Sequence, residues 1–238
     1  IKEAYDKYQF MTVYQKVNNY CGLELSAVYL DVIKDRLYTM GRDSRGRKSA
    51  QKAMYLILEA LVRWVAPILS FTAEEIWTLM PGERGESVLM ETWSDGLVEY
   101  NEAPFDRNFW RQTHGLINEV NAAIEVARAS GEVGGSLEAI VHIQPKSEEQ
   151  RSFIEAWKDE LRFPLIVSGA IVEGPDEVAP DNHSDGGDYL VWVHKSADGK
   201  CVRCWHQRPD VGASEQHPEL CGRCIENVEG PGEDRRIG

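Results

Sequence analysis

Apolar residues recur along the first 130 positions at the spacing of helices that each bury one stripe. Tyr5, Tyr8, Val13, Val17 and Tyr20 predict a helix over 1–21, with Gly22 as its stop. Ser26 is placed to cap a second helix, "AVYLDVIKDRLYTM", which Gly41 ends. Ala50, Met54, Ile57, Leu61, Trp64, Val65 and Ile68 face one way on a long third helix that Pro67 should kink or end. Thr72 and Glu75 read as a capping box ahead of "EEIWTLM", closed by Pro81-Gly82. Residues 83–104 read as an irregular connection containing an extended "SVLMETW", and 105–130 as a further helix stopped by Gly131. This is the pattern of an all-α bundle of about five helices.

The period then changes. "LEAIVHI" alternates as a strand does, Ser147 with Gln150 caps a helix to about Leu161, and "PLIVSGAIVEG" and "DYLVWVHKS" read as two more strands. The expected fold is therefore mainly α: a helical domain over 1–132, a small α+β junction domain over 133–198, and a terminal cysteine module over 199–238.

In that module "CVRCWHQRPDVGASEQHPELCGRC" spaces two Cys-x-x-Cys pairs by sixteen residues. Two cysteines three apart reach one ion from a tight turn, and the spacing suits a tetrahedral zinc site. Cys201, Cys204, Cys221 and Cys224 are the candidate ligands, with one structural zinc ion per chain. Four thiolates leave no open position for water, so hydrolytic zinc chemistry is disfavoured and no catalytic residue is assigned. Disulfides or a redox pair are the competing reading. His206 and His217 are expected at the surface, and Cys21 as a small core residue. Metal binding would supply the folding energy that so short and aliphatic-poor a segment lacks.

Charge adds a local exception. The formal net charge is -13, which as a total argues against nucleic acid, yet Lys34, Arg36, Arg42, Arg45, Arg47, Lys48 and Lys52 face only Asp35 and Asp43 in their stretch. Lys34 and Arg36 are RNA-contact candidates, or else form a solvated face with Asp31 and Asp35; Tyr29, Leu30, Ile33 and Leu37 are core candidates. In the cysteine module, Arg203 and Trp205 suit phosphate contact and base stacking in single-stranded RNA. Alternatively, Trp205 packs over the knuckle as its small core. No stretch approaches the length of a membrane span. The chain opens on Ile1, already in helical register, as a piece of a longer protein would.

"YLDVIKDRLYT", "RKSAQKAMYLILEALVRWVAPILSFTAEEIW", "GGSLEAIVHI" and "CVRCWHQRPDVG…HPELCGRCIENVEGPGEDR" occur in that order. Together they closely resemble the C-terminal part of bacterial-type isoleucyl-tRNA synthetases, class I enzymes, over essentially the whole chain. The resemblance implies an anticodon-binding helical domain, a junction and a zinc domain that hold the anticodon arm of isoleucine tRNA. In that family a separate domain attaches isoleucine to tRNA using ATP and Mg2+, and another edits. The catalytic signatures His-Ile-Gly-His and Lys-Met-Ser-Lys-Ser are absent from this sequence, so the chain itself is expected to be inactive. The family's motif places its zinc ligands at the four cysteines and sets Arg203 and Trp205 beside the second of them. The basic family segment matches 42–48, which nominates Arg45, Arg47 and Lys48. A monomeric, cytoplasmic parent without membrane contact is implied. The other function class is a zinc-stabilised protein-interaction module with no RNA role.

Overall fold

The computed structural model describes residues 1–94, 97, 99 and 104–237, and about half of the chain is helical. Its helices are α1 (Lys2–Asp6), α2 (Phe10–Asn19), α3 (Leu30–Thr39), α4 (Arg45–Val65), α5 (Ser70–Leu79), α6 (Arg107–Ala129), α7 (Glu148–Glu155) and α8 (Gly222–Glu229). The strands are β1 (Ala139–Pro145), β2 (Gly169–Val172), β3 (Ser184–Asp185), β4 (Tyr189–Lys195), β5 (Gly199–Lys200) and β6 (Gln207–Arg208). Among the described residues no helix is long and apolar enough to cross a membrane.

The described residues form two compact units: 1–31 with 48–100, and 32–47 with 101–238. In the first unit, Tyr8 turns the backbone into the left-handed region (φ 54°) and splits the expected first helix into α1 and α2. Gly22 does not stop α2. The helical path continues as wide π-type turns over Tyr20–Tyr29 and runs straight into α3, because the apolar spacing on either side favours continuity over the glycine's freedom. Pro67 does what its missing N–H predicts, and α4 ends at Val65. The Thr72 box is not used: α5 begins at Ser70, and Leu69 at its cap gives no side-chain bond.

The core of this unit joins Val62, Ala66, Ala73, Trp77, Met80 and Val88, with Tyr55, Val65 and Ile76 packed against it. A short 3-10 turn at Val88–Met90 replaces the extended "SVLMETW", because Glu74 accepts from Ser87 Oγ (2.8 Å) and the Val88 amide (3.1 Å). The rest of the 83–104 connection lies partly outside the described residues. Around Trp77, Glu59 pairs with Arg63 and with Arg84 (2.6 Å), and both guanidinium groups lie over the indole at 4.8 and 4.5 Å.

The second unit is built on a four-stranded sheet of order β2-β1-β4-β3, with β1 parallel to β2 and antiparallel to β4. Alternation decides its two faces: Ala139, Val141 and Ile143 on β1, with Tyr189, Val191 and Val193 on β4, are buried. α6 packs on β4 and buries a stripe from Phe109 through Leu116, Val120 and Ile124 to Ala127. Asp106 caps α6 by accepting from the Phe109 amide (2.8 Å), and Gly131 follows its end at φ 77°. The Ser147 cap forms as the sequence predicts, although α7 ends at Glu155 and irregular turns follow. For the same reason "PLIVSGAIVEG" is only partly strand: Ile166 adopts φ 53°, and pairing begins at Gly169.

Candidate metal centre and basic face

The β5–β6 hairpin carries the first cysteine pair. Cys201 donates its backbone N–H to His206 O (2.9 Å), and Trp205 donates back to Cys201 O (2.9 Å), which closes the first knuckle. The second pair opens α8: Cys221 stands at its cap and Cys224 in its first turn, where free helix N–H groups favour thiolate. All four cysteines are buried, and their sulfurs lie within 4.8 Å of one another. A tetrahedron with zinc–sulfur bonds of ~2.3 Å has edges of about 3.8 Å. Cys204 Sγ and Cys221 Sγ are 3.8 Å apart. The donor set and its spacing thus fit a closed tetrahedral zinc site, and all four cysteines are free thiols with no disulfide.

The thiols also need positive charge. The neighbouring Cys221 and Cys224 thiols, with Arg223, hold Cys204 far below the usual thiol range, whereas Cys204 and Cys221 push Cys224 up. Four thiolates cannot coexist at this spacing without a cation to balance them. Arg203 Nη1 sits 3.8 Å from Cys224 Sγ and donates to the carbonyl of Thr39 (2.5 Å), so it clamps the knuckle to the C-terminal end of α3.

Asp35 is the other half of this attachment. It accepts a two-pronged pair from Arg223 (2.7 and 2.9 Å) and a third bond from Arg235 (2.7 Å). Glu233 meets Arg223 as well (3.3 Å), and Arg235 stacks over the Phe163 ring at 3.8 Å. Burial pushes the Asp35 carboxyl upward, but Arg223 and Arg235 outweigh it and hold the group well below the usual carboxylate range. Asp35 therefore does not belong to a solvated face with Lys34. His206 departs from expectation too: it is only 3% exposed, packs beside Phe163, and is kept neutral because burial brings its pKa down to about 4. The C-terminal tail completes the layer, with the amides of Arg236 and Ile237 donating to the Glu160 carboxylate.

Trp205 lies outside the knuckle's small core, which consists of the cysteines with Val211 and Leu220. Trp205 is 60% exposed, its backbone is in the left-handed region (φ 66°), and Lys200 Nζ lies 5.6 Å from the ring centroid. The same unit contains the exposed Lys34 and Arg45 and the half-buried Arg36 and Arg47, and Arg36 donates to Arg236 O (2.9 Å). Lys48 is exposed on α4 and falls in the first unit. The Asp35–Arg223–Arg235 cluster is what sequence reading missed: its two arginines stand 188 and 200 residues from Asp35, and the only hint was Arg223 between the cysteines of the second pair.

Residues 199–227 match the zinc finger found in FPG and IleRS. Over nearly its whole length the chain is 48% identical to the isoleucine--tRNA ligase of Hahella chejuensis, 49% to that of Thioalkalivibrio sulfidiphilus and 50% to that of Pseudomonas paraeruginosa. It spans 25% of the length of each of these relatives. Residues 1–143 match the model of the anticodon-binding domain of tRNA ligases, and the chain belongs to that family.

Proposed function

We propose that this chain is the tRNA-binding C-terminal region of an isoleucine--tRNA ligase, holding the anticodon arm of isoleucine tRNA for a catalytic domain that lies elsewhere in the ligase. The observation that carries this reading is one compact unit in which a rigid cysteine knuckle displays Trp205 while α3 and the start of α4 carry Lys34, Arg36, Arg45 and Arg47. An exposed indole stacks on any unpaired base, and the basic side chains meet phosphate. Arg203 serves as anchor of the knuckle and, through the rest of its fork, as a second phosphate or base contact. One zinc ion on Cys201, Cys204, Cys221 and Cys224 supplies folding energy and no bond-making chemistry. The helical, junction and zinc segments at 1–132, 133–198 and 199–238 are the functional division we propose. The full ligase then attaches isoleucine to tRNA with ATP and Mg2+ in the cytoplasm, as a monomer.

The test is a titration with isoleucine tRNA and with a tRNA of unrelated anticodon at several salt concentrations. Preference for the first, with affinity falling steeply as salt rises, is expected. Equal affinity for both tRNAs refutes the anticodon reading, and no binding even at low salt favours the protein-interaction module. Trp205→Ala should weaken tRNA binding by about 1–3 kcal/mol without loss of bound zinc.

A further inference from the structure

The outward face of the sheet holds a hydrogen-bonded set of two histidines and a glutamate, remote in chemistry from the thiolate knuckle. β1 and β4 pair so that Ile140 faces His194 and His142 faces Trp192, which makes His142 and His194 diagonal neighbours on one face. Their facing nitrogens, His142 Nε2 and His194 Nδ1, are 2.9 Å apart. Two nitrogens at right angles around an ion, with bonds of ~2.05 Å, stand about 2.9 Å apart; around a tetrahedral ion they stand about 3.3 Å apart.

His142 is held from two further directions. Glu173 Oε1 lies 2.5 Å from its Nδ1, and these two side chains are only 16% and 18% exposed. The Trp192 ring lies flat against it, with centroids 5.2 Å apart and planes within 5°. A carboxylate on the far nitrogen fixes the tautomer that leaves Nε2 with a lone pair, as the outer partners of metal-bound histidines do. His194 is exposed, so water can complete the coordination of an ion bound there.

We propose that His142 and His194 form a bidentate site for a divalent cation of Ni2+ or Cu2+ type, which prefers right-angle imidazole coordination, with Glu173 orienting the first ligand. In the cation-free pair, His194 donates through Nδ1 to His142 Nε2. Binding requires that His194 carry its proton on Nε2, toward solvent, and that the two rings tilt so both lone pairs converge on the ion; no proton is lost overall. Soft thiolates retain zinc at the knuckle, while the imidazole pair keeps open positions for water or a ligand group.

The experiment is calorimetric titration of untagged, zinc-loaded protein with Ni2+. One saturable equivalent is expected without zinc release. His142→Ala and His194→Ala should each weaken it at least tenfold, and Glu173→Gln by about tenfold or more. His183→Ala, which removes a half-buried histidine bonded to Pro180 O (2.7 Å), should change nothing. His194 is a surface residue, so its variant keeps the test valid even if His142→Ala unfolds. Absence of saturable binding, binding that survives His194→Ala, or zinc release with thiolate-to-nickel absorption would each overturn the proposal.

Discussion

Glu59 and Asp35 are both helix carboxylates gripped by two arginines, yet they are assembled over very different distances in the chain. Glu59 meets Arg63 one turn later and Arg84 twenty-five residues on, and both arginines rest on Trp77 in a purely apolar core. Asp35 meets Arg223 and Arg235 from the far end of the sequence, and Arg223 stands between the two cysteines of the second pair. The first network needs only one helical hairpin to form. The second needs the cysteine knuckle to be folded and its charge balanced, so knuckle, tail and α3 stand or fall together.

Zinc removal is the strongest way to break this contrast. Chelation under reducing conditions should unfold residues 199–237, expose all four knuckle thiols to a thiol reagent and dissolve the Asp35 network, while the Trp77 core keeps its fluorescence. Thiols that stay protected in the metal-free protein would mean that Asp35 and its arginines hold the module alone.

Substitution of the carboxylates follows in size. Asp35→Ala leaves Arg223 and Arg235 buried without their anion and should cost about 3–5 kcal/mol in denaturant unfolding. Glu59→Ala should cost less, about 1–3 kcal/mol, because Arg63 still reaches Glu91 (3.4 Å) and both arginines keep the Trp77 face. Equal losses would show that sequence distance does not separate the two networks.

The smallest effect is one of pH. Burial pushes Glu59 up, but hydrogen bonds from Arg63, Arg84 and Tyr55 prevail and lower it from 4.5 to about 2. A lowered carboxylate contributes its stability above the unfolded value, and that contribution disappears as pH falls from about 4.5 to about 2. Glu59→Gln should flatten this part of the acid-unfolding curve; an unchanged curve would assign the acid sensitivity to other carboxylates.

These contrasts also explain what was legible in the sequence. The four cysteines announce their geometry by spacing, and α6, β1 and β4 follow from apolar period alone. Helix boundaries governed by one residue were harder: Tyr8 breaks a helix its neighbours favour, and Gly22 fails to break one. The buried state of His206 and the role of Asp35 were invisible, because both are set by residues that only the finished fold brings near. Likewise His142 and His194 look unrelated until the β1–β4 register aligns them.

The left-handed backbone at Trp205 has a thermodynamic consequence. A residue with a side chain costs about 1–2 kcal/mol in that conformation, and the knuckle on either side has to hold it there. The backbone beneath the indole is therefore preorganised: little main-chain freedom remains to be surrendered when a planar ligand settles on the ring. The cost of ordering is met during folding rather than on encounter, so binding through Trp205 should carry a small entropic penalty for the protein. Trp205→Gly would relieve the backbone and raise stability slightly even as it removes the stacking surface.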